Sequence, residues 1–240
     1  MSWLHRPIRL LASLLLALPV VSAPARDASL APYRAEYEVL RNGKAIGSST
    51  TELVRQGETW TWRSRTTGER GMAWMVGLSI EQSTDFRWVD GEAQPLHTRY
   101  RQEATLGSRR VDVDYDWQAM RYRLVDRKGE HRHGLQPGAT DRYGSTIAVA
   151  TRLARGETDF VLKVAHADGL HDWRFRVTSE EDVDTPAGRV RALRVERVRE
   201  GRDRLTVTWV DPARSYVVVR MLQEEDGERT ESRLRSYSPR

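Results

Sequence analysis

Tyr33-Arg34-Ala35-Glu36-Tyr37-Glu38-Val39, continuing through Leu40-Arg41 into Asn42-Gly43-Lys44, decides the fold class. Tyr33, Ala35, Tyr37 and Val39 alternate with Arg34, Glu36 and Glu38. That period of two puts the apolar set on one face of a strand and the charges on the other. Asn42-Gly43 follows at once. It is the strongest short hairpin signal, because both turn residues must take positive φ. Lys44–Val54, rich in Ser and Thr, then reads as the returning strand.

The same grammar continues outward. Gln56-Gly57-Glu58 turns the chain, and Thr59–Thr66 carries Trp60 and Trp62 on one face. Further strands are predicted at Ile80–Val89, Leu96–Thr105, Arg109–Trp117 and Met120–Val125, with Asp90-Gly91 and Gly107-Ser108 as turns. After the loop Leu135–Thr140, Asp141 is placed to cap a helix running to Ala154. Tyr143, Ile147, Ala150 and Ala154 share one face of it, and Gly156 ends it. Strands resume at Thr158–Ala165, Leu170–Thr178, Val190–Arg199, Leu205–Val210, Tyr216–Leu222 and Thr230–Tyr237. The turns between them fall at Ala167-Asp168-Gly169, Thr185-Pro186-Ala187-Gly188, Glu200-Gly201-Arg202, Asp211-Pro212 and Asp226-Gly227. Strands at this spacing with one good helix predict a mainly β fold. About a dozen strands are too many for a flat sheet, so a large, curled, half-barrel-like antiparallel sheet is expected. Within Val190–Arg199 the apolar parity switches between Ala192 and Leu193, which predicts a bulge near Ala192.

The N-terminus states a destination. Met1–Arg9 is basic, Leu10–Val21 is apolar, and Val21-Ser22-Ala23-Pro24-Ala25 is small. That order is a secretory signal peptide, too short to span a bilayer. Cleavage is expected after Ala23 or Ala25, with Ala25 favoured because the other cut sits against Pro24. The expected organisation is a signal peptide over residues 1–25 and a single β-rich periplasmic domain over 26–240, with no transmembrane segment after cleavage. With 0 cysteines, stability in that oxidising compartment rests on packing.

Lys44, Lys128 and Lys163 are the only lysines among 39 basic residues, which face 34 acids. Forked guanidinium groups suit phosphate or lipid headgroups. A GC-rich coding bias accounts for the same choice, and the interspersed acids argue against nucleic acid as a partner.

A search for catalytic motifs finds no G-x-S-x-G, no H-E-x-x-H and no glycine-rich phosphate loop. Ser145 has no histidine nearby in sequence. His131 pairs with His133, and His166 with His171 beside Asp168 and Asp172. Each pair lacks a clear third and fourth ligand, so no metal and no cofactor are expected. Asp112 with Asp114, and Glu180 to Asp182, read as outward and turn acids. One stretch is less ordinary: Gly71-Met72-Ala73-Trp74-Met75-Val76-Gly77-Leu78 is uncharged, apolar and bounded by glycines. It reads either as a lid or lining for an acyl chain, or as a core plug of the curled sheet. The candidate apolar lining is therefore Trp60, Trp62, Met72, Trp74, Met75, Leu78 and Trp88. Trp209 has the same two readings.

Thr185-Pro186-Ala187-Gly188, the alternating strand to Glu196, Thr208-Trp209-Val210-Asp211-Pro212, Tyr216–Arg220, Asp226-Gly227 and Leu234 form a further pattern. With the Tyr33–Val39 strand, Asn42-Gly43 and the Asp141–Ser145 helix start, it resembles the exported family called domain of unknown function 3108, from about Pro32 to Tyr237. Val218 departs from it, standing where that family often has proline. The resemblance implies distant structural kinship with periplasmic lipoprotein carriers and receptors: a curled sheet wrapped over helices, enclosing an apolar hollow. It implies no catalytic residues. The expected function is non-enzymatic: binding of a lipid, acyl chain or lipoprotein segment in the concave face. The alternatives are an interaction module using an exposed strand edge and, less favoured, a hydrolase.

Overall fold

A computed structural model describes residues 30–105, 107–199 and 204–240. The expected signal peptide and the expected turn at Glu200-Gly201-Arg202 lie outside the described residues. The strands are β1 (Tyr33–Arg41), β2 (Lys44–Gln56), β3 (Thr59–Gly68), β4 (Ser79–Val89), β5 (Glu92–Ala104), β6 (Gly107–Asp116), β7 (Arg121–Asp126), β8 (Gly129–Gly134), β9 (Thr140–Asp141), β10 (Asp159–His166), β11 (Gly169–Thr185), β12 (Gly188–Val198), β13 (Arg204–Asp211), β14 (Val217–Glu225) and β15 (Glu228–Pro239). Helix α1 (Gly71–Met75) joins β3 to β4, and α2 (Ser145–Ala154) joins β9 to β10.

All of these strands form one sheet in the order β8-β7-β6-β5-β4-β3-β2-β1-β15-β14-β13-β12-β11-β10-β9. Every neighbouring pair is antiparallel except β9 and β10. The sheet is open but curled. Its β8 end reaches the β10–β11 turn, where His133 Nε2 lies 2.9 Å from the Ala167 carbonyl oxygen. The expected mainly β, curled antiparallel architecture with one main helix is the observed one.

Local rules explain much of this. Asn42 and Gly43 have φ of 49° and 76°, the pair of left-handed residues that a two-residue hairpin needs, and Asp90-Gly91 and Asp226-Gly227 repeat it. The tight contact of α1 on β3 depends on Gly68, where a Cβ would lie 2.5 Å from the Ala73 carbonyl oxygen.

The departures from expectation have physical causes. β5 begins at Glu92 and runs through Pro95, because the register shifts beside that proline: Asp85 faces His97 and Phe86 faces Pro95. β8 forms although its sequence is polar, since it is an end strand. β11 continues to Thr185 because its acids meet arginines across β12: Arg191 lies 3.1 Å from Glu180, and Arg189 3.6 Å from Asp184. The predicted bulge near Ala192 is instead an extra residue, Thr178, on the partner strand. The parity switch in β12 arises because Val190 and Ala192 belong to the main core cluster while Val195 packs in the second.

Asp141 belongs to β9 and does not cap α2, which starts four residues later with Gly144 at its N-cap. Its Oδ1 accepts the Tyr143 and Gly144 N–H groups at 2.6 and 3.0 Å, and its Oδ2 accepts the Thr98 and Tyr115 hydroxyls at 2.6 and 3.0 Å. This buried carboxylate pins the start of α2 to β5 and β6. Helix α2 is then buried nearly all round, beyond the single predicted face. Ile147 and Ala150 join Tyr33, Trp62 and Phe86, while Ala148, Val149 and Leu153 join Phe160, Leu162 and Trp173.

Candidate functional site

Inside the curl, beside the N-terminal half of α2, is a cavity of about 370 Å³. That falls in the range of small-ligand sites, roughly 300–1,000 Å³. Val149, Trp173, Phe175, Val195 and Val210 supply apolar lining, and Thr66, Gln82, Thr206 and Thr208 supply neutral polar groups. Arg109, Arg142, Arg197, Arg199 and Arg204 are the charged lining residues; among the described residues no carboxylate and no histidine lines the cavity.

Strand parity places these arginines. Val195 faces inward, so Arg197 and Arg199 follow it on the same side of the chain. Thr208, Val195's partner across the strands, likewise shares parity with Thr206 and Arg204. On the facing wall Tyr100 and Tyr143 stack with centroids 4.5 Å apart. Arg109 lies over Tyr100 at 5.8 Å and Arg142 over Tyr143 at 6.0 Å. Burial raises the Tyr100 hydroxyl above its usual range against the pull of Arg109 and Arg142, and pushes Tyr143 up to about 12. Both rings are neutral at ordinary pH. The Arg197 guanidinium sits 3.2 Å from the Trp173 ring centroid. Arg204 pairs with Glu225 at 3.2 Å, whereas Arg109 and Arg142 have no carboxylate partner among the described residues. The arrangement offers positive charge above an aromatic and aliphatic floor.

A larger hollow of about 790 Å³ on the outer face shows what balanced arginines look like. Arg34 and Arg63 pair there with Glu52 at 3.1 and 2.5 Å, Arg65 with Glu81 at 3.2 Å, Arg99 with Asp85 at 3.7 Å and Arg101 with Asp112 at 2.7 Å. Every arginine of that groove is compensated, so it has little charge to offer a ligand.

The sequence-predicted lining residues lie elsewhere. Trp60 and Trp62 are buried in the main core cluster, and Trp88 packs edge-on against Phe86 with centroids 5.4 Å apart. Trp209 is also core, its Nε1 donating to Glu181 at 2.5 Å. Met72, Trp74 and Met75 do not plug the sheet: they are 68%, 67% and 67% exposed on α1, and Leu78 beside them is half-buried. None of the seven lines the cavity. Neither the aromatic alternation nor the apolar Gly71–Leu78 stretch points to this cavity. The signal for the arginines was charge at inward-facing parity in Val195-x-Arg197-x-Arg199 and Arg204-x-Thr206-x-Thr208.

The polar candidates separate as well. Ser145 bonds the Arg142 carbonyl oxygen at 2.9 Å. Asp112 and Asp114 pair with Arg101 and Arg123. His131 and His133 share one face of β8 but have different partners: His131 Nε2 lies 3.4 Å from Asp126, and His133 Nε2 2.9 Å from the Ala167 carbonyl oxygen. His166, Asp168 and His171 form one group whose ligand atoms lie within 4.8 Å. The two rings stack 14° from parallel with centroids 4.4 Å apart. An ion in the plane of one ring is thus out of the plane of the other, and holding one requires a ring to turn.

The family described as "Protein of unknown function (DUF3108)" matches residues 32–230. The chain belongs to this family. A DUF1849 β-barrel-like protein from Brucella abortus has a similar crystal structure, with TM-score 0.56 and 11% identity over 88% of this chain and 98% of that one. A protein from Parabacteroides distasonis, provisionally assigned as a lipoprotein, aligns at TM-score 0.34 and 9% identity over 87% of this chain and 95% of that one. No curated protein matches this DUF3108 chain. Among its described residues no helix is long and apolar enough to cross a membrane.

Proposed function

We propose that this DUF3108 protein is a non-catalytic, exported binding protein of the cell envelope that takes an anionic amphiphile. The anionic group is held by the cavity arginines and the apolar part lies on Trp173, Phe175 and Val149. The observation that carries the reading is a cavity inside the curled sheet lined, among the described residues, by five arginines and no carboxylate. Guanidinium forks bind carboxylate or phosphate in two-point geometry. Burial of each methylene adds about 0.8 kcal/mol. Export rests on the order of basic, apolar and small residues in Met1–Ala25.

The alternatives have less support. An edge-binding module needs a long unpaired strand, whereas β9 is 2 residues long and β8 meets the β10–β11 turn through His133. A hydrolase needs a general base, and among the described residues the cavity lining contains neither histidine nor carboxylate.

Titration with 11-(dansylamino)undecanoic acid and with its methyl ester tests the proposal. Saturable binding of the acid is expected, with a weaker ester and an affinity lowered about tenfold in Arg109→Gln/Arg142→Gln. Equal affinity for acid and ester, or no saturable binding, would overturn it.

A further inference from the structure

Helix α1 lies on the rim of this cavity. Thr66 and Ile80, both lining residues, lie on the strands that enter and leave the α1 segment. The Val76 carbonyl just after α1 accepts the Thr105 N–H at 2.8 Å and its hydroxyl at 3.1 Å, tying α1 to the β5–β6 connection. Arg109, another lining residue, begins a few positions further on. On the other side the Ile46 carbonyl accepts the N–H groups of Glu69 and Arg70 at 2.8 and 3.1 Å.

Three large apolar side chains stand out from this rim. Met72, Trp74 and Met75 are about two-thirds exposed, and α1 buries none of its residues. Packing does not account for them, and clustered exposed apolar groups mark contact surfaces. Around them Lys44, Arg70, Arg109 and Arg110 are exposed and make no ion pair among the described residues. The exposed acids of the same rim are Glu103, Glu69, which accepts from Ser48, and Glu81, which Arg65 neutralises at 3.2 Å. An apolar tip inside a cationic ring fits one kind of surface: apolar groups enter the headgroup region while cations meet phosphates. Tryptophan is the side chain that favours that depth.

We infer that α1 is a membrane-docking tip that inserts Met72, Trp74 and Met75 into an anionic phospholipid surface. Docking sets the mouth of the arginine cavity against the bilayer from which an amphiphile is drawn, so the inference extends the binding reading above. A methionine pair with one tryptophan on a five-residue helix gives only shallow, reversible attachment. That suits a protein that must leave again.

The test is co-sedimentation with vesicles of equimolar phosphatidylcholine and phosphatidylglycerol, and with phosphatidylcholine alone. The wild type is expected to sediment with the anionic vesicles and far less with the neutral ones. Met72→Ser/Trp74→Ser/Met75→Ser should lose about tenfold or more in apparent affinity, and Lys44→Glu/Arg70→Glu/Arg110→Glu should lose as much. These side chains are exposed, so unchanged circular dichroism melts are expected. Wild-type protein that ignores anionic vesicles, or an apolar triple variant that sediments as well as wild type, would overturn the docking. Titration of the dansyl acid in vesicle-free buffer separates the two ideas. The apolar triple variant should keep wild-type affinity, and failure of that titration in wild type would sink the cavity reading while vesicle binding still upheld the docking.

Discussion

The Tyr122 hydroxyl donates to the His166 carbonyl oxygen at 2.7 Å. It joins β7, near one end of the open sheet, to the end of β10, near the other. With His133 and Ala167 beside it, this contact holds the curl shut where no strand ladder does. Burial raises the hydroxyl to about 12 against the opposing effect of that hydrogen bond, so it remains a donor at ordinary pH.

Tyr122→Phe should therefore loosen the seam while keeping the ring in the core. The cost is expected to be about 1 kcal/mol, since a part-buried carbonyl loses its partner. Urea unfolding measures the loss. Hydrogen exchange should accelerate in β7, β8 and the β10–β11 turn before it does in β1 and β15. Uniform acceleration across the sheet would refute the seam.

Trp62 and Trp74 stand 12 positions apart in sequence and in opposite surroundings in the fold. Trp62 is 4% exposed in the main core, whereas Trp74 is 67% exposed. Trp62→Ala should cost about 3–5 kcal/mol, and Trp74→Ala less than about 0.5 kcal/mol. Thermal melts of the two variants decide. A large loss from Trp74→Ala would mean that α1 packs into the structure after all.

Asp141→Asn should be costly for a different reason. The carboxylate accepts four hydrogen bonds in a buried position, and an amide turns one acceptor oxygen into a donor facing Thr98 and Tyr115. A loss of about 2–4 kcal/mol is expected, with α2 detached from β5 and β6. Near-ultraviolet circular dichroism should register the freed Tyr115 and Tyr143.

The strands were legible because the rule that makes them is local. Alternation in Tyr33–Val39 and the obligatory positive φ at Asn42-Gly43 do not depend on distant residues. β8 and β9 escaped because end strands need neither apolar alternation nor length. Asp141 was found but misassigned. A carboxylate before a helix reads as a cap, and only the fold brings Thr98 and Tyr115 to it. The cavity was hidden for a related reason. Arg109, Arg142, Arg197, Arg199 and Arg204 are scattered along an arginine-rich chain, and what distinguishes them from Arg34 or Arg101 is that no carboxylate lines their cavity among the described residues, a property of the curl. Trp60 and Trp62, the aromatic residues that alternation puts on one face, are core.

Acid should destabilise the protein in two stages. His166 is pushed down from the ordinary 6.5 to about 4, first by burial and then by His171, with Arg142 and Arg197 adding to the effect and Asp168 opposing it. The unfolded chain therefore binds more protons than the folded one between about pH 6.5 and 4, and stability rises with pH across that window. The neutral ring's contribution is complete above 6.5 and is lost as pH falls toward 4. A second loss begins lower. Burial raises Glu52 and Glu231, but Arg63 with Arg34, and Arg233 with Arg220, outweigh it and hold both below the usual 4.5. Their contribution is present above 4.5 and disappears as pH falls through their folded values. Urea midpoints taken from about pH 7 down to pH 3 should trace both limbs. His166→Gln should flatten the upper limb and leave the lower one. Equal slopes for wild type and His166→Gln between about pH 6.5 and 5 would show that this ring is not held neutral by its surroundings.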